Sequence, residues 1–227
     1  MPKTALIIGA TGLVGEQCLG ELLNSVAYDK VIALTRRKIE DKNITKRAKF
    51  QNVVTDFENL DSIAEQLKAD DVFCAIGTTI KKAGSKEAFR KVDFDIPLKL
   101  AEVARKNGAK KFVLVSSLGA DAGSSIFYSK VKGELEDALK KLRFDWLFIF
   151  RPSILMGDRK ESRPGEAAGI FFAQKLSFLL SGPLKKYRGT PVYLLARLMV
   201  KAAQETTPSA VEKIPVVRII ENEEILG

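Results

Sequence analysis

The chain has 227 residues, of which 46% are hydrophobic and 29% are charged, and its formal net charge is +9 at pH 7. This length and composition are typical of one folded domain and exclude a collagenous or disordered chain. The sequence has no histidine, which excludes Ser-His-Asp hydrolysis and histidine-ligated zinc. Cys18 and Cys74 lie outside any CxxC pattern, so we expect no disulfide and no metal site, and we predict that both are buried.

The hydrophobic runs are too short for a membrane span. Arg151 interrupts the apolar stretch at 146–156 and Lys175 interrupts the stretch at 170–180, whereas a spanning helix needs about 20 apolar residues. The N-terminus leads directly into a strand-like run without the pattern of a signal peptide. We therefore predict a cytoplasmic location and no membrane span.

Short apolar runs alternate with helical patterns over the first two thirds of the chain. Strands are predicted at 4–8, 31–34, 50–55, 71–75, 111–116 and 144–150. A helical pattern follows the first run, and others occupy 62–68, 94–106 and 131–142. This alternation predicts an α/β fold with a doubly wound, mostly parallel sheet and helices on both faces.

The alternation weakens after residue 150. We predict a helix at 170–180 that ends at Ser181-Gly182-Pro183, and a last strand at 216–220. Thr190 and Pro191 are typical of the N-cap and first turn of a helix, which would continue to Gln204. We interpret residues 1–227 as a single domain, in which residues 151–227 contribute a lid on the substrate side.

A GxxGxxG motif at residues 9–15 lies directly between the first strand and the first helix. Glycines at this position permit a tight turn and let backbone N–H groups approach a pyrophosphate at the helix N-terminus. A plain glycine turn is the alternative. The position of the motif favours a dinucleotide site of the Rossmann type, formed by Gly9, Thr11, Gly12, Leu13, Val14 and Gly15.

Arg36 and Arg37 follow the second strand, where the residue type distinguishes the two nicotinamide cofactors. An acidic residue there binds the ribose hydroxyls of NAD, whereas arginine accommodates the 2′-phosphate of NADP. A guanidinium group forms paired hydrogen bonds with phosphate oxygens. The pair favours NADP(H), with a solvated basic turn as the alternative.

Tyr128 and Lys132 form a YxxxK pair, and Ser117 ends the preceding strand. Residues at i and i+4 share one helix face, and a nearby ammonium favours proton exchange by a tyrosine hydroxyl. Ser117 would hold the substrate oxygen. These three residues are the candidate catalytic group, although a lone YxxxK pair also occurs on ordinary surface helices.

Together these motifs resemble the short-chain dehydrogenase/reductase superfamily. Segments 73–79, 112–121, 128–136 and 150–166 are similar to the Tat-interacting protein 2 branch of its atypical members, above all the ESRPGE sequence at 161–166. One departure is the segment 74–77, which lacks the asparagines of the superfamily's NNAG motif. We expect this departure to affect the capacity of the protein for substrate turnover.

The resemblance implies that NADPH is the ligand and assigns further contacts to it. It implies that the glycine loop, Arg36 and Arg37 bind the phosphates and that Asp56 approaches the adenine. It places Gly77, Thr78, Tyr128 and Lys132 at the nicotinamide half, with Pro152 and Leu155 at the carboxamide end.

The leading hypothesis is an NADPH-dependent oxidoreductase that acts on a carbonyl or alcohol substrate, which Arg159, Arg163 or Lys186 would select if it is anionic. The alternative is a non-catalytic, redox-sensing protein that binds NADPH and passes its state to a protein partner. Direct binding of nucleic acid is suggested only by the net charge, without a recognition motif, and is not expected.

Overall fold

The computed structural model describes residues 3–157, 182–205 and 215–227, and within them one large sheet dominates. Its strands are β1 (Thr4–Ile8), β2 (Lys30–Thr35), β3 (Phe50–Val54), β4 (Asp71–Cys74), β5 (Lys111–Val115), β6 (Trp146–Arg151) and β9 (Val216–Glu221). Their spatial order is β3-β2-β1-β4-β5-β6-β9, and every neighbouring pair is parallel. A separate parallel pair joins β7 (Leu155–Met156) to β8 (Thr190–Pro191). The predicted parallel α/β sheet is confirmed.

Helices connect the strands of the described chain. They are α1 (Leu13–Asn24), α2 (Lys42–Thr45), α3 (Ile80–Ala83), α4 (Lys86–Arg90), α5 (Ile96–Lys106), α6 (Phe127–Lys141), α7 (Val192–Ala203) and α8 (Asn222–Leu226). Two 3-10 helices occupy Asp61–Leu67 and Gly182–Tyr187. A π-helical turn, Lys91–Asp95, joins α4 to α5, so α5 begins two residues later than the predicted helix. The helix predicted at 170–180 lies outside the described residues.

The two faces of the sheet bury separate apolar cores. Ala5 and Ile7 of β1 face one core together with residues of α1 and α7, whereas Leu6 and Ile8 face the other core together with residues of α5 and α6. Successive side chains of a strand point to opposite faces, so a strand that is covered on both sides is apolar at most of its positions. This requirement explains why short continuous apolar runs predicted the strands closely. Cys18 and Cys74 are both buried, as expected.

The prediction that Thr190 caps α7 is wrong. The helix begins at Val192, and Pro191 holds the cap position without a side-chain hydrogen bond. The hydroxyl of Thr190 instead donates to the side-chain oxygen of Asn222 at 2.5 Å and accepts from the amide of Ser153 at 3.0 Å. The hydroxyl therefore forms hydrogen bonds within this buried contact and does not cap the helix, because buried polar groups require partners.

The strand order reverses beside β1, which has β2 on one side and β4 on the other. In open parallel sheets a crevice forms at such a reversal, outside the carboxyl ends of the strands. The predicted glycine loop follows β1, the segment with Gly77 follows β4, and Ser117 follows β5. The fold therefore brings the three segments to one edge of the sheet.

Gly133 of α6 supplies a test of the packing at this edge. A Cβ atom there would lie 2.2 Å from the amide nitrogen of Ala122 and 2.3 Å from the carbonyl carbon of Asp121. We expect Gly133→Ala to push the 121–122 loop away from α6 and to lower the free energy of unfolding by about 1–3 kcal/mol, measured by urea denaturation.

Gly20→Ala in α1 is the matched control. Nothing lies within 4 Å of a Cβ atom at Gly20, which is inside a helix. This substitution should raise the free energy of unfolding by about 0.5–1 kcal/mol. Equal changes in the two variants would contradict the tight contact at Gly133.

Candidate functional site

The turn after β1 packs backbone against backbone. Gly9 has a φ of +82°, and a Cβ atom there would lie 2.5 Å from the amide nitrogen of Ile76. A Cβ atom at Gly15 would lie 1.9 Å from the carbonyl oxygen of Gly9. Only glycine fits either position, and the first turn of α1 is thereby held against the segment that follows β4.

The N-terminus of α1 offers its amides at this edge. Thr11 and Gly12 are exposed, Gly12 is the N-cap residue, and no side chain in the described ranges caps the helix. Leu13, Val14 and Gly15 form the first turn, whose N–H groups have no partner within the helix. Small residues, free amides and the positive end of the helix dipole fit the diphosphate of a dinucleotide.

Side-chain hydrogen bonds of Asn52 and Thr35 fix the basic turn after β2, which contains Arg36 and Arg37. Asn52 of β3 donates to the hydroxyl of Thr35 at 2.8 Å and accepts from the amide of Ile39 at 2.8 Å. The Thr35 hydroxyl in turn donates to the carbonyl oxygen of Arg37. Arg36 and Arg37 are exposed, and neither forms an ion pair with a described residue. These hydrogen bonds fix the backbone of the basic turn and leave both guanidinium groups available. Sequence reasoning did not single out Asn52.

Asp56 lies in the exposed turn after β3. Its carboxylate accepts a hydrogen bond from the amide of Glu58 at 3.0 Å. The next residue, Phe57, is buried and has a φ of +69°, which L-residues rarely adopt. The buried ring therefore anchors a turn that holds Asp56 at the same edge of the sheet as the basic turn.

Lys132 forms a buried ion pair that the sequence motifs did not indicate. Its ammonium nitrogen lies 2.8 Å from Oδ1 of Asp93, with the two side chains 5% and 0% exposed. Oδ2 of Asp93 accepts a hydrogen bond from the amide of Thr78 at 2.8 Å. The aromatic ring of Tyr128 packs on Phe89, with ring centroids 5.5 Å apart. Asp93 thus links α6 to the segment after β4.

The ion pair keeps Lys132 charged. Burial alone favours the neutral amine, but the carboxylate of Asp93, with a smaller contribution from Tyr128, raises the pKa of Lys132 above its usual value. Lys132 is therefore an ammonium group at neutral pH. Its charge is matched by the carboxylate beside it.

Ser117 lies on a loop that a second buried ion pair supports. The adjacent Ser116 donates to Glu136 at 2.5 Å, and Glu136 also accepts two hydrogen bonds from Arg151 at 3.1 and 2.6 Å. Arg151 in addition pairs with Glu221 of β9 at 2.9 Å. The hydroxyl of Ser117 itself donates only weakly to the carbonyl of Leu118, at 3.3 Å. This hydroxyl remains available to a ligand.

The segment after β6 lies beside both the serine loop and the glycine turn. The carbonyl of Pro152 accepts a hydrogen bond from the amide of Leu118 at 2.8 Å, and Leu155 pairs with Thr190. A Cβ atom at Gly157 would lie 3.3 Å from the side chain of Leu13. The structure thus gathers the predicted residues 9–15, 77–78, 117, 128, 132 and 152–155 at one edge of the sheet.

The structure does not test the predicted anion-binding residues. Lys186 is exposed on the second 3-10 helix, where its ammonium lies 5.2 Å from the ring of Tyr187. Arg159 and Arg163 lie outside the described residues, as does the ESRPGE segment. Their predicted contact with an anionic substrate stays a prediction.

The Glu136–Arg151 pair can be tested through stability. Glu136 is buried, and Glu136→Gln leaves Arg151 with Glu221 as its only charged partner among the described residues. We expect the free energy of unfolding to fall by about 3 kcal/mol. In the control variant Glu134→Gln, the more exposed pair with Arg90 is lost, and the fall should stay below about 1 kcal/mol. Equal losses in urea denaturation would contradict the structural role of Glu136.

Comparison with known proteins places this geometry in a family. Residues 9–172 match the family model described as NAD(P)H-binding. The chain is 41% identical over 199 residues to protein HTATIP2 of Rattus norvegicus, covering 87% of this chain and 80% of the relative. It is 43% identical over 160 residues to the mitochondrial protein FMP52 of Candida albicans, covering 70% of each. The predicted resemblance to the Tat-interacting protein 2 branch is confirmed.

Solved structures agree on the fold. MoeE5 in complex with UDP-glucuronic acid and NAD superposes with a TM-score of 0.69 at 16% identity, covering 96% of this chain and 76% of the other. A UDP-glucose 4-epimerase from Thermotoga maritima gives a TM-score of 0.67 at 17% identity, with coverages of 89% and 74%. At these identities the match concerns the Rossmann architecture alone.

The predicted cytoplasmic location is wrong as stated. Several fungal relatives, from Candida albicans, Scheffersomyces stipitis and Emericella nidulans, carry names that call them mitochondrial. The prediction rested on a missing signal-peptide pattern, which concerns secretion and does not address other compartments. Among the described helices, none combines the length and apolar character that a bilayer span requires.

The matched family model, the relatives and the glycine turn at the reversal of strand order lead to one assignment. The chain belongs to the NAD(P)H-binding family of Rossmann proteins and is a homologue of HTATIP2 and FMP52.

Proposed function

We propose that the protein is an NADP(H)-dependent oxidoreductase of the atypical short-chain dehydrogenase/reductase type, acting on a carbonyl or alcohol. The observation that carries the proposal is the convergence of the uncapped glycine turn, the Lys132–Asp93 pair and the available hydroxyl of Ser117 at one edge of the sheet. The first binds phosphates, and the others supply the groups that carbonyl reduction needs.

The preference for NADP(H) rests on the basic turn. The guanidinium groups of Arg36 and Arg37 are free of ion pairs with described residues, and they follow the strand next to the glycine turn. Neutralising a 2′-phosphate would give both groups the partner that they lack. The MoeE5 structure has the same fold and holds NAD, so the fold alone does not favour NADP(H). The preference therefore rests on the basic turn.

The proposed chemistry assigns one role to each side chain. NADPH, when bound, supplies the hydride for the carbonyl carbon. Tyr128 donates its hydroxyl proton to the carbonyl oxygen, which yields the alcohol, and Ser117 donates a hydrogen bond that orients that oxygen. Lys132 would bind the nicotinamide ribose. Its ammonium group would provide a polar group beside the path along which the proton moves. Tyr128 regains its proton from solvent.

A substitution of both arginines tests the cofactor preference. We expect Arg36→Met together with Arg37→Met to weaken NADPH binding by about tenfold to a hundredfold, because two charge-assisted contacts to the 2′-phosphate are lost. Binding of NADH, which lacks this phosphate, should change by less than about threefold. Both affinities can be measured by calorimetric titration.

The control for this variant removes the same net charge elsewhere. Lys42 and Lys46 are exposed on and beside α2. Their replacement by methionine should leave both affinities within about twofold of the original protein. A parallel loss of NADPH and NADH affinity in the arginine variant would remove the argument for NADP(H).

Tyr128→Phe tests the catalytic proposal. The rate of NADPH oxidation should first be measured with a panel of aldehydes and ketones. For any carbonyl that reacts, we expect the variant to lower kcat by about a hundredfold or more and to leave NADPH affinity nearly unchanged. Tyr193→Phe, at a tyrosine exposed on α7, is the control and should retain full activity.

One observation favours a second candidate function, in which the protein binds NADPH and reports its redox state without turnover. Asp93 already offsets the charge that Lys132 would otherwise present to Tyr128. Tight NADPH binding together with no oxidation by any carbonyl of the panel would favour this sensor. Turnover that Tyr128→Phe abolishes would exclude it.

A further inference from the structure

Asp93 occupies an unusual position in the fold. It lies in the π-helical turn Lys91–Asp95 between α4 and α5, and its side chain is fully buried. Such turns occur mostly as single interruptions of α-helices and are frequent at functional sites. A buried carboxylate is retained only where it has charged or polar partners, and here it has Lys132 and the amide of Thr78.

The pair lies directly against Gly77. A Cβ atom at Gly77 would lie 3.2 Å from Oδ1 of Asp93 and 3.7 Å from the ammonium nitrogen of Lys132. Gly77 and Thr78 belong to the segment that we assign to the nicotinamide half of the cofactor. Two opposite charges therefore lie next to the part of the ligand that changes its charge on oxidation.

Other titratable groups also lie near Lys132. Besides Asp93, Lys132 faces Tyr128 of its own helix and Cys74 of β4. Burial raises the pKa of Cys74 to about 12, so its thiol is neutral at physiological pH. The oppositely charged group that faces Lys132 in the described part of the chain is thus Asp93.

The two redox forms of the cofactor differ in charge at this place. The oxidised nicotinamide ring is cationic and the reduced ring is neutral, while the remainder of the molecule is the same in both. A lone ammonium nearby would disfavour the oxidised form, and a lone carboxylate would favour it. An ammonium and a carboxylate in contact carry no net charge, so what remains at either form is the field of a dipole, which is weaker than that of a lone charge.

We propose that Asp93 sets the preference of the site between oxidised and reduced cofactor by cancelling the charge of Lys132. This inference rests on the proposed NADP(H) site and adds a residue that determines its redox specificity. Asp93 is a positioning residue in this role, because it acts through Lys132 and through the amide of Thr78.

The measured quantity is the ratio of dissociation constants, that of NADP⁺ divided by that of NADPH. Asp93→Asn keeps the size of the side chain and an oxygen for the amide of Thr78, but it leaves Lys132 unmatched. We expect the ratio to rise on the order of tenfold at about pH 6. Lys132→Met leaves Asp93 unmatched, and the ratio should fall by a similar factor at about pH 8. The double variant should restore the original ratio.

The pH dependence gives a second readout. In Asp93→Asn, burial of an unmatched Lys132 lowers its pKa, so the effect should fade as pH rises and the amine loses its charge. In the original protein Asp93 raises the pKa of Lys132, which stays an ammonium group, and the ratio should stay constant over the same range. Protonation of the 2′-phosphate affects both redox forms equally and cancels in the ratio.

The outcomes separate this inference from the proposed function. Asp95→Asn removes an exposed charge from the same π-helical turn and is the control, which should leave the ratio unchanged. If the original protein binds both forms but neither Asp93→Asn nor Lys132→Met changes the ratio, the inference is overturned and the proposed site stands. If the original protein binds neither form, both are overturned. Should Asp93→Asn fail to fold, the opposite shift expected for Lys132→Met decides alone.

Discussion

The close backbone contact between the turn after β1 and the end of β4 is the constraint on which the site depends. A side chain at Gly9 would overlap the backbone at Ile76, and one at Gly15 would overlap Gly9 itself. Because both positions lack a Cβ atom, α1 begins deep in the crevice where the strand order reverses. The amides of its first turn, the basic turn after β2 and the segment with Gly77 then share one edge. The regions that we propose for the phosphates and the nicotinamide both depend on this packing.

Helix α6 supplies the second organising element, through charges that are buried in pairs. Tyr128, Lys132 and Glu136 recur at intervals of four residues and therefore lie on one helix face. Lys132 pairs with Asp93 of the π-helical turn, and Glu136 pairs with Arg151 of β6. Removing one member of such a pair leaves a charge without compensation, which costs far more than the intact pair contributes. The two pairs thus fix α6 relative to two neighbouring segments and hold the candidate catalytic residues in register.

The sequence predicted the elements whose signal is local. Strands that are covered on both faces are rich in apolar residues, so β1 was found at its observed bounds and the other strands of the large sheet within two residues, whereas β7 and β8 were not predicted. The glycine motif is likewise a local signal in the sequence, because all three glycines lie within residues 9–15. Asp93 escaped notice because one acidic residue among Lys91, Val92 and Phe94 forms no motif, and its partner is 39 positions away in a helix that the pattern alone did not place beside it. The roles of Asn52 and Thr190 were not predicted for the same reason, since their hydrogen-bonding partners are set by the tertiary structure.

The sheet also has a consequence for the order of assembly. Its strands β1 to β5 are encoded before residue 116, whereas β9, which pairs with β6, begins only at Val216. Contacts between distant parts of a chain form late, because closing a long loop is entropically costly. The strands beside the glycine and basic turns are therefore encoded early, but α1 packs against α7, which begins only at Val192. The core beneath the glycine turn is thus completed only after the C-terminal part of the chain has been synthesised.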